Sequence, residues 1–157
     1  MTTHERWMKS ALKEAERAFR NDEVPVGAVV VYNNTIIAKG YNQIEMMRDP
    51  TAHAEMIALT AAAAHLENKF LKECTLYVTM EPCPMCAGAI VLSRIPVIVF
   101  GCYDAKMGAC GSAVNITENK KFNHSVHVIG GVLDNECGLI VKEFFEKKRI
   151  LSAKSAK

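Results

Sequence analysis

Apolar positions change their period several times along the chain, and each change marks an element. Trp7, Ala11, Leu12, Ala15 and Phe19 recur at helical spacing behind a Thr2/Glu5 capping box, which predicts an amphipathic helix over residues 3–20 that Asn21-Asp22-Glu23 ends. Two β-branched runs follow, Val26–Tyr32 and Ile36–Tyr41. Asn33-Asn34-Thr35 lies between them, and asparagines tolerate the positive φ of a tight hairpin, so the runs are read as an antiparallel pair. Residues 42–50 are polar and irregular, a candidate functional loop, and Thr51–Glu67 reads as an alanine-rich helix bearing Ile57, Leu59 and Leu66.

The second half alternates. Thr75–Thr79 reads as a strand, Pro82–Leu92 as a helix with proline in its first turn, and Pro96–Phe100 as a strand, so the connection is a parallel crossover. Asp104–Asn123 is rich in Gly, Asn and Lys, with a short helix expected near Val114–Glu118. Val126–Ile129 is the final strand. Leu133, Cys137, Ile140, Val141, Phe144 and Phe145 mark a last helix that ends in Lys147-Lys148-Arg149, with a basic tail expected to fray from about residue 152. No repeat or linker interrupts this order. It predicts one three-layer α/β/α domain over residues 1–157, with a mixed five-stranded sheet, antiparallel at the hairpin end and parallel after it.

Composition narrows the function classes. With 157 residues, 50% of them hydrophobic and 23% charged, the chain can bury a core without disulfide staples. No run reaches the roughly 18 apolar residues of a membrane span, and the polar start offers no signal-peptide core, so a soluble, cytoplasmic protein is expected. The net charge of +2 and pI near 8.2 permit a phosphate-bearing partner without requiring one. The six cysteines then read as free thiols or metal ligands. Cys74, Cys110 and Cys137 have no partner pattern and are assigned to the core.

The candidate chemistry lies in His53-Ala54-Glu55 and in Glu81-Pro82-Cys83-Pro84-Met85-Cys86, each at the start of a predicted helix. Cys83 and Cys86 fall on one face of a helical first turn, and His53 completes three ligands of the right softness for zinc. A CxxC alone also serves redox or structural sites. A closed zinc site needs a fourth protein ligand, which no second CxxC or HxxxH supplies here, whereas three ligands leave a position for water. Two thiolates and a neutral imidazole cancel the charge of the ion, so the bound water needs a nearby base, and Glu55 is the candidate. Such a site suits attack on an amidine-type carbon with loss of ammonia. The HExxH helix of zinc peptidases is absent from the chain.

HAE followed by PCxxC is a known signature of nucleobase deamination, and by it the chain resembles the cytidine-deaminase-like zinc deaminases. EVPVGAVV, DPTAHAE, TLYVTMEPCPMCAGAI, SRI, VFGCYDAKMGACGS, FNH and FFEKKR extend the likeness to the bacterial tRNA-specific adenosine deaminases, over roughly Glu5 to Arg149. The resemblance implies one zinc per chain on His53, Cys83 and Cys86, Glu55 as proton shuttle, and Asn42 hydrogen-bonding the purine. It also implies that Asp104, Lys106, Asn123, His124 and Phe145 lie near a tRNA anticodon stem-loop, that the wobble adenosine is converted to inosine, and that the protein is a homodimer. This chain carries Cys102-Tyr103 before the aspartate, a departure from the family pattern.

Blander readings stand beside these. Read without the resemblance, Asn42 is equally a turn residue, and the basic end of the last helix is equally a solvated face. Two rival functions use the same residues: deamination of free cytosine, guanine or a nucleoside, and RNA binding around a purely structural zinc.

Overall fold

The computed structural model describes residues 1–156; Lys157, the end of the basic tail, lies outside them. The elements run α1 (Thr3–Arg20), β1 (Gly27–Tyr32), β2 (Thr35–Tyr41), α2 (Ile44–Met47), α3 (Ala54–Leu66), β3 (Cys74–Met80), α4 (Pro84–Leu92), β4 (Val97–Cys102), β5 (His127–Ile129) and α5 (Asp134–Ser155). The Thr2/Glu5 capping box is present at the start of α1. Asn33 and Asn34 take φ of 51° and 58°, so the hairpin closes in a two-residue turn and Thr35 already pairs with Tyr32.

The sheet has the order β2-β1-β3-β4-β5, with β1 antiparallel to both neighbours and the remaining pairs parallel. Every strand except β1 therefore points the same way. The C-terminal ends of β2, β3 and β4 share one edge with the start of β1, and the N-termini of α3 and α4 begin there. Crevices at that edge are where open α/β sheets bind ligands.

Helices α1 and α5 cover one face, and α3 and α4 the other. Trp7, Met8, Val29, Tyr77 and Val99 fill the first interface, and Val30, Leu59, Leu76, Ile90 and Ile98 the second. Alanines 54, 58 and 62 let α3 approach β2 closely. A Cβ on Gly40 would meet the Ala54 carbonyl and the Ala58 amide, and one on Gly27 would meet the Ala11 carbonyl and the Ala15 amide of α1. Those obstacles are helix backbone, which cannot swing aside. Gly27→Ala is accordingly expected to lower stability by about 1–3 kcal/mol, read as a lower urea midpoint at unchanged slope. An unaltered midpoint would mean that α1 is not seated on that glycine.

Three expectations need correction. The irregular segment after β2 contains the one-turn helix α2, with Arg48 in the left-handed region ending it. No helix forms over Val114–Glu118: Asn115 bridges back to Cys110, the Ile116 amide donates to the Ala109 carbonyl, and the Asn115 side chain accepts the Glu118 amide. These bonds take the amides that a helical turn needs. Helix α5 continues past Arg149 to Ser155. Among the described residues no helix is long and apolar enough to cross a membrane.

Candidate active site

Two of the predicted metal ligands occupy N-cap positions. His53 precedes α3 with φ −79° and ψ 151°, Cys83 precedes α4 with φ −73° and ψ 173°, and neither side chain caps its own helix. An N-cap side chain ordinarily folds back on its first turn. These two turn toward each other instead. His53 Nδ1 lies 3.6 Å from Cys83 Sγ and 3.5 Å from Cys86 Sγ, with Cys86 supplied by the first turn of α4.

The donor set fits zinc. A tetrahedral ion with Zn–N near 2.0–2.1 Å and Zn–S near 2.3 Å sets an N–S edge of about 3.6 Å, matching both separations. The three donor atoms lie within 4.8 Å of one another, and no fourth His, Cys, Asp or Glu among the described residues joins them. A closed structural shell is therefore not built from these residue types.

The electrostatics couple the three ligands to one another. The hydrogen bond from Cys86 pulls the Cys83 thiol down to about 4 against the opposing effect of burial, with His53 adding to the pull. Helix N-termini favour thiolates in the same direction. Cys86 is held far above the usual thiol range by its bond to Cys83 and by burial. The Cys83 hydrogen bond raises His53. Burial of Glu55, only 4% exposed, pushes its carboxyl up to about 7.

Asn42, His53, Glu55, Cys83 and Asp104 line one cavity of about 270 Å³. The Asn42 side-chain oxygen accepts the Ala54 amide at 2.8 Å, so the residue secures the start of α3 and keeps its NH2 as a donor. Lys106 is exposed in the adjoining loop, its amide bonded to Asp104 Oδ1 at 3.1 Å. Asn123 and His124 are not brought to this cavity. They border a larger one of about 540 Å³ with Val91 and Leu92, and His124 Nε2 donates to the Ile95 carbonyl at 2.7 Å. That second cavity holds no metal-ligating trio. Phe145 lies on α5, 45% exposed beside the buried Phe144.

Two buried carboxylates beside the cavity, Glu23 and Glu81, have roles that their place in the sequence does not reveal. Glu23, 1% exposed, accepts the amides of Glu45 at 2.9 Å and Met46 at 2.8 Å, and so anchors α2 on one side of the cavity. Glu81, 3% exposed, accepts the amides of Asp104, Cys110 and Ser112 on the other. Glu81 directly follows β3 and opens the segment that carries Cys83 and Cys86, whereas Glu23 stands four residues before β1 with no local signal of its role. Cys74, Cys110 and Cys137 are buried in the core as expected, and burial pushes the thiols of Cys110 and Cys137 up to about 12.

Known proteins share this architecture. Residues 2–149 match the family model of MafB19-like deaminases. A tRNA-specific adenosine deaminase of Bacillus subtilis (strain 168) is 47% identical over 149 residues, spanning 95% of this chain and 92% of that protein. One of Aquifex aeolicus (strain VF5) is 46% identical over 145 residues, spanning 92% and 95%. A structure solved in studies of A-to-I editing by tRNA:A34 deaminases superposes with a TM-score of 0.83 at 38% identity, covering 86% of this chain and 98% of that one.

Proposed function

Since this chain belongs to the tRNA-specific adenosine deaminase family, we propose that it hydrolyses adenosine to inosine at the wobble position of a tRNA anticodon. Its mixed sheet is the cytidine-deaminase-like fold. The deamination chemistry is carried by the His53, Cys83 and Cys86 trio, with no fourth donor among the described residues, beside a buried Glu55 in a cavity of about 270 Å³, and the choice of tRNA adenosine is supported by the relatives 46–47% identical over nearly the whole chain.

A zinc ion held by these three ligands supplies Lewis acidity and acidifies water within reach of Glu55. Glu55 takes the first proton of the attacking water and gives it to purine N1, then takes the second from the new C6 hydroxyl and gives it to the departing amine as the C6 carbonyl forms. The new C–O bond forms at C6, the C6–N6 bond breaks, and ammonia leaves. Asn42, its oxygen committed to Ala54, directs an NH2 donor at a purine ring nitrogen. Its bond to the start of α3 ties base recognition to the element that carries Glu55.

The cavity falls just below the range of about 300–1,000 Å³ usual for small-molecule sites, a size that suits one extruded base and leaves its neighbours outside. Anticodon-loop bases are already unstacked, so extrusion is cheap. Asp104 and Lys106 at the rim are assigned to the loop RNA, with Asn123, His124 and Phe145 serving its flanks. The chain acts as a single domain and as a homodimer in the cytoplasm. Exposed Leu92 and Phe122, beside Asn123 and His124, support an association surface.

The test is a parallel assay of an anticodon stem-loop, adenosine, cytosine, cytidine and guanine. Inosine is expected in the stem-loop, with kcat/KM for the free compounds at least about a hundredfold lower because remote binding energy is lost. Turnover of a free base or nucleoside alone would assign the site to small-molecule deamination.

A further inference from the structure

The mechanism leaves the Glu81 carboxylate unused, although it borders the same cavity as Glu55 and Cys83. It is buried, and no cation pairs with it among the described residues. Four donors compensate it. Oε1 accepts the Asp104 amide at 3.2 Å and the Ser112 hydroxyl, and Oε2 accepts the amides of Cys110 and Ser112, each at 3.1 Å. All four come from the segment after β4, which returns Asp104 and Met107 to the cavity wall. With both oxygens doubly engaged, Glu81 has no free acceptor for a substrate.

The glycine in that segment makes the same point independently. A Cβ on Gly108 would overlap the Asp104 carbonyl and the Glu81 carboxylate, so the loop is wound on the anion as tightly as backbone allows. At its other end Glu81 donates its own amide to the Cys102 carbonyl at 2.9 Å and leads directly into Pro82 and Cys83. One carboxylate thus joins the chain that carries a metal ligand to the loop that carries the opposite rim.

We infer that Glu81 is a positioning residue for substrate binding, a buried anion that organises residues 104–112 into the wall the RNA docks against. The inference rests on the substrate reading given above. Removing one acceptor orphans a backbone N–H, and bonds to charged acceptors are the strong ones. Glu81→Gln removes the least. Its NH2 can face the Ser112 hydroxyl, which can rotate to accept, while the Asp104 amide alone loses its partner.

The experiment measures zinc content, kcat and KM for the anticodon stem-loop with wild type, Glu81→Gln and Gly108→Ala, together with amide exchange on each protein without RNA. In Glu81→Gln, KM is expected to rise about tenfold or more, with zinc retained and kcat within about threefold, the pattern of lost uniform binding. Exchange should accelerate over residues 104–112 and stay unchanged in β3 and α4. Gly108→Ala should show the same split with the carboxylate intact, and it carries the test if Glu81→Gln does not fold. Unchanged KM, a fall in kcat as large as the rise in KM, loss of zinc, or unaltered exchange over the loop would overturn the inference. A wild-type protein that forms no inosine would sink the substrate reading instead, and the exchange data would still decide whether Glu81 holds the loop.

Discussion

Glu55→Gln is expected to retain its zinc and lose activity by about 10²–10⁴-fold, the usual worth of a positioned proton-transfer group. The amide fills the same volume in a site where the native carboxyl is 4% exposed, so packing is preserved. Glutamine can neither accept the proton of water nor return one to the amine. Because burial penalises the charged carboxylate, the variant should melt at or above the wild-type temperature. Measured together, zinc content, melting temperature and single-turnover rate separate lost chemistry from lost structure. A variant that deaminates at the wild-type rate would remove Glu55 from the mechanism.

Cys86→Ala should go further and lose both metal and turnover. Cys86 is fully buried, and its sulfur is one of only two thiolate donors in the trio. A site reduced to His53 and Cys83 keeps two of the three protein ligands that a catalytic zinc needs, and the Lewis acidity it forfeits is worth several kcal/mol, more than about a thousandfold in rate. Zinc binding to preformed ligands is also folding energy. Wild-type melting temperature should therefore fall on chelation, whereas that of Cys86→Ala should be low and insensitive to the chelator. Full zinc and ordinary turnover in this variant would show that the trio is not the metal site.

Much of the architecture was legible because the signals were local. The period change from Phe19 to Val26, the paired asparagines of the hairpin and the proline opening α4 each act within a few residues, and the observed elements begin and end close to them. His53, Glu55, Cys83 and Cys86 were legible because their chemistry demands fixed residue types at fixed spacing. Long-range relations were hidden. Nothing near Glu23 says that its carboxylate will receive the amides of Glu45 and Met46, and without that anchor the one-turn helix α2 has no reason to form. A short helix is expected near Val114–Glu118, yet the Ile116 amide donates across the loop to the Ala109 carbonyl and the Glu118 amide to the Asn115 side chain, in a loop whose Cys110 amide is bonded to Glu81. Asn42 combined both cases: its place after a strand was visible, but its bond to Ala54 was not.

The most direct test of the central claim is a zinc titration of metal-stripped protein, reading inosine formed in an anticodon stem-loop at each increment. With zinc held by His53, Cys83 and Cys86 beside Glu55, the stripped protein should be inactive and the rate should climb linearly to a break at one zinc per chain. Full inosine formation by the stripped protein, or none after reconstitution, would contradict it.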